Sequence, residues 1–304
     1  MNILISGSTG LVGSELVPFL ATKGHSVTRL TRSKSGLESL PGVAEAYWNP
    51  NSKKIDISSL EGHDVVVHLA GENIAGMWTE EKKNKIRKSR VDGTRLLSNS
   101  IAALSRPPKV FVCASAIGFY GNRGDEILTE ESSPGEGFLS EVCREWEAAA
   151  EPATKRGIRV VHIRIGIVLS PKGGALKTML LPFRIGVGGT VGTGKQYLSW
   201  VAIDDLVGAL YHNITNENLN GPVNVVAPNP VTNYEFTKTL GRVLNRPTLL
   251  PVPAFALRLL AGEMADEMLL ASTRVEPKKL LASGYKFRHP ELEGAMRHIL
   301  KKMK

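Results

Sequence analysis

Residues 3–13 read ILISGSTGLVG, a short apolar run followed by a turn with three glycines and the start of a helical segment. Glycines at this spacing, between a strand and a helix, are typical of a dinucleotide-binding turn. Gly7 permits the tight turn, Gly10 lets the backbone approach a pyrophosphate, and Gly13 lets the helix pack close to the strand. Free amides at the helix start would face the anion. We therefore predict a phosphate cradle whose cofactor-binding residues are Gly7, Thr9, Gly10, Leu11 and Val12.

The first half of the chain alternates between short apolar runs and segments of helical periodicity. Strands are predicted at residues 3–6, 26–30, 44–48, 64–69, 110–114 and 160–165. Helices are predicted at residues 14–23, 79–105 and 140–156. Short, largely apolar strands separated by helices favour a parallel sheet that is covered on both faces. The predicted fold class is therefore α/β, with a Rossmann-type doubly wound parallel sheet.

The end of the second strand indicates which nucleotide is bound. In NAD-binding proteins an acidic residue there accepts hydrogen bonds from the ribose 2′-hydroxyl. The stretch SVTRLTRSKS, residues 26–35, contains no acid and places Arg32 at this point. A carboxylate would repel a 2′-phosphate, whereas a guanidinium can pair with it through two hydrogen bonds. We therefore predict NADP(H) as the cofactor, with Thr31 and Arg32 in its site.

The composition of the sequence changes after about residue 170, where a glycine-rich stretch begins. From residue 247 the chain reads mainly as helices broken by prolines, and an apolar run at 224–227 resembles a strand that returns to the sheet. The predicted division is an NADP(H)-binding domain of residues 1–170, with 200–227 returning to it, and a smaller, mainly helical C-terminal substrate domain of residues 171–199 and 228–304.

Composition argues against several classes of partner. The 304 residues carry a formal net charge of +9 from basic residues that are spread along the chain. No basic stretch with interleaved aromatics and no nucleic-acid motif accompanies this charge, so no nucleic-acid partner is predicted. No run of about 18 apolar residues occurs, so no membrane association is predicted. A small-molecule substrate is the expected partner, with a protein partner and the oligomeric state left open.

Cysteine usage bears on metals and on location. Cys113 and Cys143 are too few for a disulfide framework and lack metal-ligand spacing. No other metal-binding constellation emerges, so no metal is predicted. Strand-like sequence begins at Asn2 and leaves no room for a basic leader and a cleavage site. We therefore expect a reducing, cytoplasmic setting.

Several stretches resemble a known family. The chain contains the stretches SGSTGLVG, DVVVHLAG, SRVDGTRLL, ASAIGFYG, LTEESSP and WVAIDDL. Their order resembles that in extended short-chain dehydrogenase/reductases of the sugar-nucleotide epimerase superfamily. It also contains CREWEAAA, GGALKTMLLPFRIGVGG, GEMADEMLL and KKLLASGYKFRHPEL. These resemble, more narrowly, the atypical epimerase-like family with its own C-terminal domain of unknown function. Some members of that family are labelled cell division inhibitors, and the resemblance covers essentially the whole chain.

The resemblance implies further cofactor contacts. Leu69, Ala70 and Gly71 end the fourth predicted strand, where superfamily members pass the adenine ribose and the pyrophosphate. Arg90 stands where the superfamily has an asparagine near the nicotinamide half of the cofactor. A cation there could hold a phosphate or a substrate anion, and an ordinary helix-surface arginine is the alternative. Val168, just after the sixth strand, matches a position that lines the nicotinamide pocket.

The chain departs from the superfamily at the catalytic helix. The resemblance implies a Tyr-x-x-x-Lys pair, four residues apart so that both groups share one helix face, and the corresponding stretch GEGFLSEVCREWEAAA contains no tyrosine. Alignment on Glu147 puts Leu139 and Cys143 at the Tyr and Lys positions. Alignment on Arg144 as the cation puts Ser140 at the Tyr position. The usual acid/base mechanism should therefore be badly impaired.

One hydroxyl remains a catalytic candidate. Ser115 stands near the catalytic Ser/Thr position of the superfamily, although ASAIGFYG has one residue more than the usual spacing and makes Ala116 the rival. Tyr120 belongs to the Tyr-Gly structural motif, and packing is its more natural role than catalysis. Ser115 is therefore the predicted catalytic residue.

The predicted substrate pocket lies in GTGKQYLSW, which stands where the superfamily contacts its substrate. Its candidate residues are Lys195, Gln196, Tyr197 and Trp200. Asp204 and Asp205 are better explained as the start of a helix than as paired catalytic acids. His68 and His162 lie in apolar strands and are expected in the core.

Three functions remain open. The favoured one is an NADP(H)-dependent oxidoreductase on an unidentified small molecule, with a rearranged acid such as Ser115 with Arg90 or a water. The second is a cofactor-binding protein without turnover that acts through a partner, for example in cell division. The third is a sugar-nucleotide epimerase, against which the missing Tyr–Lys pair argues.

Overall fold

The computed structural model describes residues 1–32 and 43–301. Its strands are β1 (Asn2–Ser6), β2 (Ser26–Thr31), β3 (Val43–Asn49), β4 (Lys54–Ile55), β5 (Val65–His68), β6 (Val110–Ala116), β7 (Ile127–Leu128), β8 (Arg159–Ile165), β9 (Ile167–Leu169), β10 (Tyr197–Leu198), β11 (Trp200–Ala202), β12 (Gly221–Val225), β13 (Val231–Thr232) and β14 (Arg274–Val275). Its α-helices are α1 (Gly13–Thr22), α2 (Glu80–Ala102), α3 (Phe138–Ala148), α4 (Glu151–Lys155), α5 (Gly174–Arg184), α6 (Ile203–Thr215), α7 (Asn233–Leu244), α8 (Ala254–Ala261), α9 (Lys278–Ala282) and α10 (Leu292–Lys301). The six predicted strands are confirmed, with small differences at their ends.

Eight strands form one sheet in the order β12-β8-β6-β5-β1-β2-β3-β4. Neighbouring strands are parallel except for β3 and β4, which are antiparallel. The strand order reverses beside β1, because β2 and β3 follow on one side while β5, β6, β8 and β12 lie on the other. This arrangement confirms the predicted doubly wound sheet. The predicted returning strand is β12, which pairs with β8 so that Val223 lies opposite Ile163.

The helix predicted over residues 140–156 is wrong as a single element. The structure divides it, since α3 ends at Ala148 and α4 begins at Glu151. Pro152 is the second residue of α4. In a helix interior its ring would clash with the carbonyl four residues earlier, whereas the first turn tolerates proline. The helix therefore stops and restarts just before Pro152.

Apolar side chains cover both faces of the sheet. Ile3 and Ile5 face one side of β1 and Leu4 faces the other, because side chains alternate along a strand. The first side packs against α1 and α6, and the second against α2 and α4. Each fully buried residue of this kind contributes about 1.5–3 kcal/mol to folding. The glycine-rich turn thus follows a strand whose apolar side chains Ile3, Leu4 and Ile5 are fully buried.

A third apolar core lies among the segments predicted to form the smaller domain. It includes Leu180 of α5, Trp200 of β11, Phe236 of α7 and Met296 of α10. The short strands β9 and β11 pair in parallel beside it. None of the helices in the described ranges is long and apolar enough to cross a membrane. The exact domain boundaries and the cytoplasmic location stay predictions.

Candidate functional site

The glycine-rich turn lies where the strand order reverses. The loops that follow β1 and β5 emerge side by side at the carboxyl edge of the sheet, which is where open α/β sheets bind ligands. Gly7 has a φ of +73°, and a Cβ on it would stand 2.6 Å from the carbonyl carbon of Leu69 and 2.7 Å from the amide nitrogen of Ala70. Only glycine fits both the left-handed backbone and this close approach. The two predicted cofactor loops are therefore in contact.

The other two glycines shape the turn in the way the spacing predicts. A Cβ on Gly13 would overlap the Gly7 carbonyl oxygen, so the helix start packs directly on the turn. A Cβ on Gly10 would meet only the Gly7 oxygen, at 3.3 Å, and otherwise faces open space. The backbone amides of Leu11 and Val12 have no hydrogen-bond partner among the described residues. Open space in front of unpaired amides at a helix start fits a pyrophosphate.

Arg90 of α2 brings a cation to this cradle. Its guanidinium carbon lies 3.4 Å from the position of a Cβ on Gly71, and one of its nitrogens donates to the Ile86 carbonyl at 3.1 Å. The guanidinium lies 5.2 Å from the ring centroid of Trp146. No carboxylate of the described residues lies within ion-pair distance of it. Burial lowers the pKa of Arg90, so an anionic ligand at this point would be strongly favoured.

Thr31 and Arg32 lie at the same edge of the sheet, because β2 runs parallel to β1 beside it. Thr31 is half-buried, and Arg32 is exposed to solvent. Residues 33–35 of the predicted ribose-binding stretch lie outside the described residues. The exposed position leaves Arg32 accessible to a phosphate that approaches the end of β2.

The segment after β9 closes over the outside of the glycine-rich turn. Cβ atoms built on Gly173 and Gly174 would each stand 3.2 Å from the side chain of Leu11. Val168 is half-buried and packs against the core beneath β1 and α1. Thr9, by contrast, is exposed on the rim of the turn. The structure thus brings the N-terminal turn and residues 168–174 together, although they are far apart in sequence.

In the alignment on Glu147, the acid/base pair of the superfamily corresponds to Leu139 and Cys143 of α3. We call the helix face with these two residues the catalytic face. A Cβ on Gly118 would stand 3.2 Å from Leu139 Cβ and 3.9 Å from Cys143 Sγ, so both residues lie against the loop after β6. Burial raises the pKa of Cys143 to about 12. The Ser140 hydroxyl is fully buried and lies 2.9 Å and 2.8 Å from two backbone carbonyl oxygens. None of these groups resembles a phenol beside a lysine.

The C-terminal region closes on the start of the same helix. The Glu267 carboxylate accepts hydrogen bonds from the amides of Phe138 at 2.7 Å and of Leu139 at 2.8 Å. An acid at this position satisfies amides that a helix start leaves unpaired and is favoured by the helix dipole. The GEMADEMLL stretch is therefore tied to the start of α3 through Glu267.

Ser115 belongs to a buried chain of hydrogen bonds that sequence reasoning missed. Its hydroxyl donates to Glu147 at 2.7 Å, and the same carboxylate accepts two bonds of 2.8 Å from Arg164. Arg164 also donates to the Tyr120 hydroxyl at 3.0 Å, which in turn donates to Asn224 at 2.7 Å. Tyr120 is fully buried and packs in an apolar cluster with Phe119 and Leu128. A catalytic role for Ser115 stays a prediction, and it would require this hydroxyl to leave Glu147.

The four predicted substrate residues do not share one surface. Trp200 is fully enclosed in the third core and Gln196 is buried, with its amide donating to backbone carbonyls, so neither is free to meet a ligand here. Lys195 is exposed. Tyr197 is half-buried, and the guanidinium of Arg274 lies 4.7 Å from its ring centroid. Of the four, Lys195 and Tyr197 are accessible, and a substrate contact through Trp200 would require the core to open.

Comparison with known proteins gives consistent matches. Residues 3–226 match the NAD dependent epimerase/dehydratase family, and residues 252–299 match a domain of unknown function, DUF1731. The chain is 42% identical over 295 residues to an epimerase family protein of Mycobacterium bovis, Mb2239, covering 97% of this chain and 96% of that protein.

Two solved structures are similar over nearly the whole chain. The human epimerase family protein SDR39U1 (isoform 2), crystallised with NADPH, is 35% identical, with a TM-score of 0.89 and 99% coverage of both chains. A nucleoside-diphosphate sugar epimerase from Corynebacterium glutamicum is 39% identical, with a TM-score of 0.80, covering 99% of this chain and 58% of that one.

Proposed function

The chain belongs to the NAD-dependent epimerase/dehydratase family, and we propose that it binds NADPH and uses it in hydride transfer with a small-molecule substrate. The observation that carries the proposal is the cradle between β1 and β5. A Cβ on Gly7 or Gly13 would clash with neighbouring backbone, and Gly10 faces open space. Arg90 lies beside them, and it forms no ion pair with a carboxylate of the described residues. The crystallisation of a 35% identical human relative with NADPH supports the same cofactor.

Each part of the cofactor has residues suited to hold it. The turn from Gly7 to Val12 and the loop of Leu69, Ala70 and Gly71 would bind the pyrophosphate. Arg32 would pair with the ribose 2′-phosphate, and Val168 would line the nicotinamide pocket. Arg90 would hold a cofactor phosphate or an anionic group of the substrate. The cofactor supplies or accepts the hydride, so the chain's task is to orient it and to manage a proton.

Proton transfer in this site must differ from the usual family mechanism. One alignment places Leu139 and Cys143 at the tyrosine and lysine positions, and the other places Ser140 and Arg144 there. Burial keeps the Cys143 thiol protonated at neutral pH. Ser115, one residue before the end of β6, could donate a proton to a substrate oxygen if it left Glu147, with Arg90 balancing the developing negative charge. A water is the other source. Residues 171–199 and 228–304 would cover the substrate.

A second function is favoured by the same catalytic face. A protein that binds NADPH without turnover and acts through a protein partner would need the cradle and would not need the tyrosine–lysine pair. Such a protein would tolerate the apolar Leu139 and the unreactive Cys143 on this helix face, because it would not transfer protons there. Sugar-nucleotide epimerisation is the third candidate, which the sequence likeness supports and the missing pair disfavours.

The first experiment concerns cofactor choice. NADPH and NADH are titrated against the wild-type chain and Arg32→Ala. We expect NADPH to bind about 10- to 100-fold more tightly than NADH to the wild type, because charged hydrogen bonds contribute about 1.5–3 kcal/mol each. Arg32→Ala should lose this preference while its NADH affinity stays the same. Equal affinities of the wild type for the two cofactors would contradict the assignment.

The second experiment separates the three functions. The NADPH-loaded chain is incubated with a panel of aldehydes, ketones and sugar nucleotides, and both the NADPH absorbance and the products are followed. Substrate-dependent loss of NADPH supports the oxidoreductase. A new sugar nucleotide without net NADPH change identifies an epimerase. Tight NADPH binding with neither result across the panel supports the protein without turnover.

A further inference from the structure

A second cluster of polar side chains lies outside the cofactor site, where the start of α6 meets the C-terminal segment. His298 Nε2 lies 2.7 Å from Asp204 Oδ2, and the imidazole rings of His289 and His298 stack with their centroids 4.2 Å apart. One ligand atom of each residue lies within 4.8 Å of those of the other two. We propose that Asp204, His289 and His298 form a binding site for a divalent transition-metal ion such as Zn²⁺.

The scaffold around this cluster holds its members in place. The neighbouring Asp205 is fully buried, and its carboxylate accepts hydrogen bonds from the backbone amides of Arg288 at 2.7 Å and His289 at 3.0 Å. The Tyr285 hydroxyl donates to the Asp205 carbonyl oxygen at 2.8 Å. The loop that carries His289 is therefore fixed to the first turn of α6, where Asp204 stands. A metal site gains affinity when its ligands are held in position before the ion arrives.

The helix that carries His298 is fixed independently of the loop. Leu292, Met296 and Ile299 of α10 are buried in the third core. This packing leaves His298 half-buried and facing Asp204. The His298 side chain is 38% exposed and the Asp204 side chain is 25% exposed. The cluster therefore draws its ligands from three segments of the chain, of which the His289 loop and α6 are bonded to each other and α10 is anchored by the third core.

The donor set points to a particular class of ion. Two imidazoles and one carboxylate suit zinc, nickel, cobalt or copper, whereas magnesium and calcium prefer a full set of oxygen ligands. With both histidines neutral, the three ligands carry one negative charge and leave the remaining coordination positions of the metal to water. The Asp204–His298 bond would be replaced by bonds from both residues to the ion. The ion would then clamp the C-terminal segment onto α6.

The experiment uses the tag-free full-length chain after removal of metals with a chelator. Zn²⁺ is titrated by calorimetry, and Co²⁺ is titrated as a spectroscopic probe, because its absorption in the visible range reports the ligand geometry. We expect one equivalent of Zn²⁺ to bind to the wild type and to raise its melting temperature. His289→Gln and His298→Gln should each weaken binding by more than about 100-fold, because losing a supporting residue of a metal site alone costs about 10- to 100-fold.

The matched control is His63→Gln, a histidine outside the cluster that bonds to the Leu60 carbonyl and the Thr28 hydroxyl. This variant should bind Zn²⁺ as the wild type does. Circular dichroism and metal-free melting show whether each variant is folded, and Asp204→Asn provides a third test that spares both rings. Absence of stoichiometric binding by the wild type would overturn the proposal. Equal affinity in the wild type and both cluster variants would assign the metal to another place and overturn it as well.

Discussion

The cofactor cradle and the catalytic face of α3 lie at the same edge of the sheet, yet they differ in how much of the family pattern they keep. The cradle has a left-handed Gly7, an uncovered Gly10 and a half-buried Arg90 that makes no ion pair within the part of the chain that the structure describes. The catalytic face has Leu139 against the loop after β6 and a thiol whose pKa burial raises to about 12. One region is arranged for an anion that the chain itself does not supply, and the other offers no ordinary acid.

This difference teaches that nucleotide binding and proton transfer rest on separate parts of the fold. The cradle depends on backbone geometry and on one cation, so it survives changes on α3. Acid/base chemistry depends on two side chains four residues apart, and replacing them leaves the helix intact. Glu147, on the same helix, pairs with the buried Arg164 and accepts a hydrogen bond from Ser115.

The largest effect is expected from Gly10→Val. The new side chain would fill the open space in front of Leu11 and Val12, so NADPH affinity should fall by more than about 100-fold through loss of several charged hydrogen bonds. Stability should change by about 1 kcal/mol or less, because Gly10 does not have a left-handed backbone. Gly294→Val, at an exposed position in α10 with no heavy atom within 4 Å, is the matched control. Normal NADPH binding by Gly10→Val would refute the cradle.

A smaller effect concerns pH and the strands beneath the cradle. His68 ends β5, is fully buried and shares a 2.5 Å hydrogen bond with Ser6, which directly precedes Gly7. Burial lowers the pKa of His68 to about 4, below its unfolded value near 6.5. The contribution to stability is therefore present above about pH 6.5 and is lost as the pH falls towards 4, by about 3 kcal/mol in total.

This loss can be measured by urea unfolding at a series of pH values. His68→Asn keeps a hydrogen-bonding group towards Ser6 and cannot titrate, so its unfolding free energy should depend less on pH over the same interval. If wild type and variant lose stability in parallel between pH 6.5 and 4, His68 is not the acid-sensitive group of the cradle.

Arg90→Met is expected to weaken NADPH binding by about 10- to 100-fold, the value of one charged hydrogen bond of about 1.5–3 kcal/mol. The comparison variant is Arg87→Met on the same helix, whose guanidinium already pairs with Glu141 and Glu145. Isothermal titration of both variants decides between a cofactor contact and a helix-surface arginine. Equal affinities for Arg90→Met and the wild type would remove Arg90 from the cofactor site and leave a substrate contact as its possible role.

The fold was predictable because its determinants are local. The spacing of the glycines predicts the turn from Gly7 to Gly13, and short apolar runs predict the strands. The alternation of these runs with helical segments predicts the parallel sheet. Pro152 was the available signal for the helix break, since proline favours the first turn of a helix, although Pro18 of α1 and Pro182 of α5 lie inside helices that continue through them. The start of α6 at Asp204 and Asp205 was confirmed, with Asp205 holding a distant loop in addition.

The catalytic side was harder to predict because its contacts join distant segments. Ser115, Glu147 and Arg164 come from β6, α3 and β8, and no spacing reveals that they meet. An arginine inside the apolar strand VVHIRI was the available signal, since a buried cation needs a partner. The burial of Trp200 could not be read from its motif either, because the core around it includes residues of β9, α5, α7 and α10, which are distant in sequence.

Replacing Cys143 is expected to have the smallest effect on the rate of an NADPH-dependent reaction. The same replacement tests the catalytic face most directly. A thiol with a pKa raised to about 12 stays protonated at neutral pH and is a poor source or acceptor of protons. Cys143→Ala should therefore change any NADPH-dependent rate by well under the ~100- to 10,000-fold that a working general acid contributes. Arg144→Ala, at an exposed position on the same helix, should do equally little. Ser115→Ala should lower the rate more, provided that its hydroxyl reaches the substrate, and unchanged urea unfolding would separate this from a structural loss. A fall in rate of more than about 100-fold in Cys143→Ala alone would identify the thiol as the missing acid. The catalytic face would then have a working acid, as the cradle has a cofactor-binding turn.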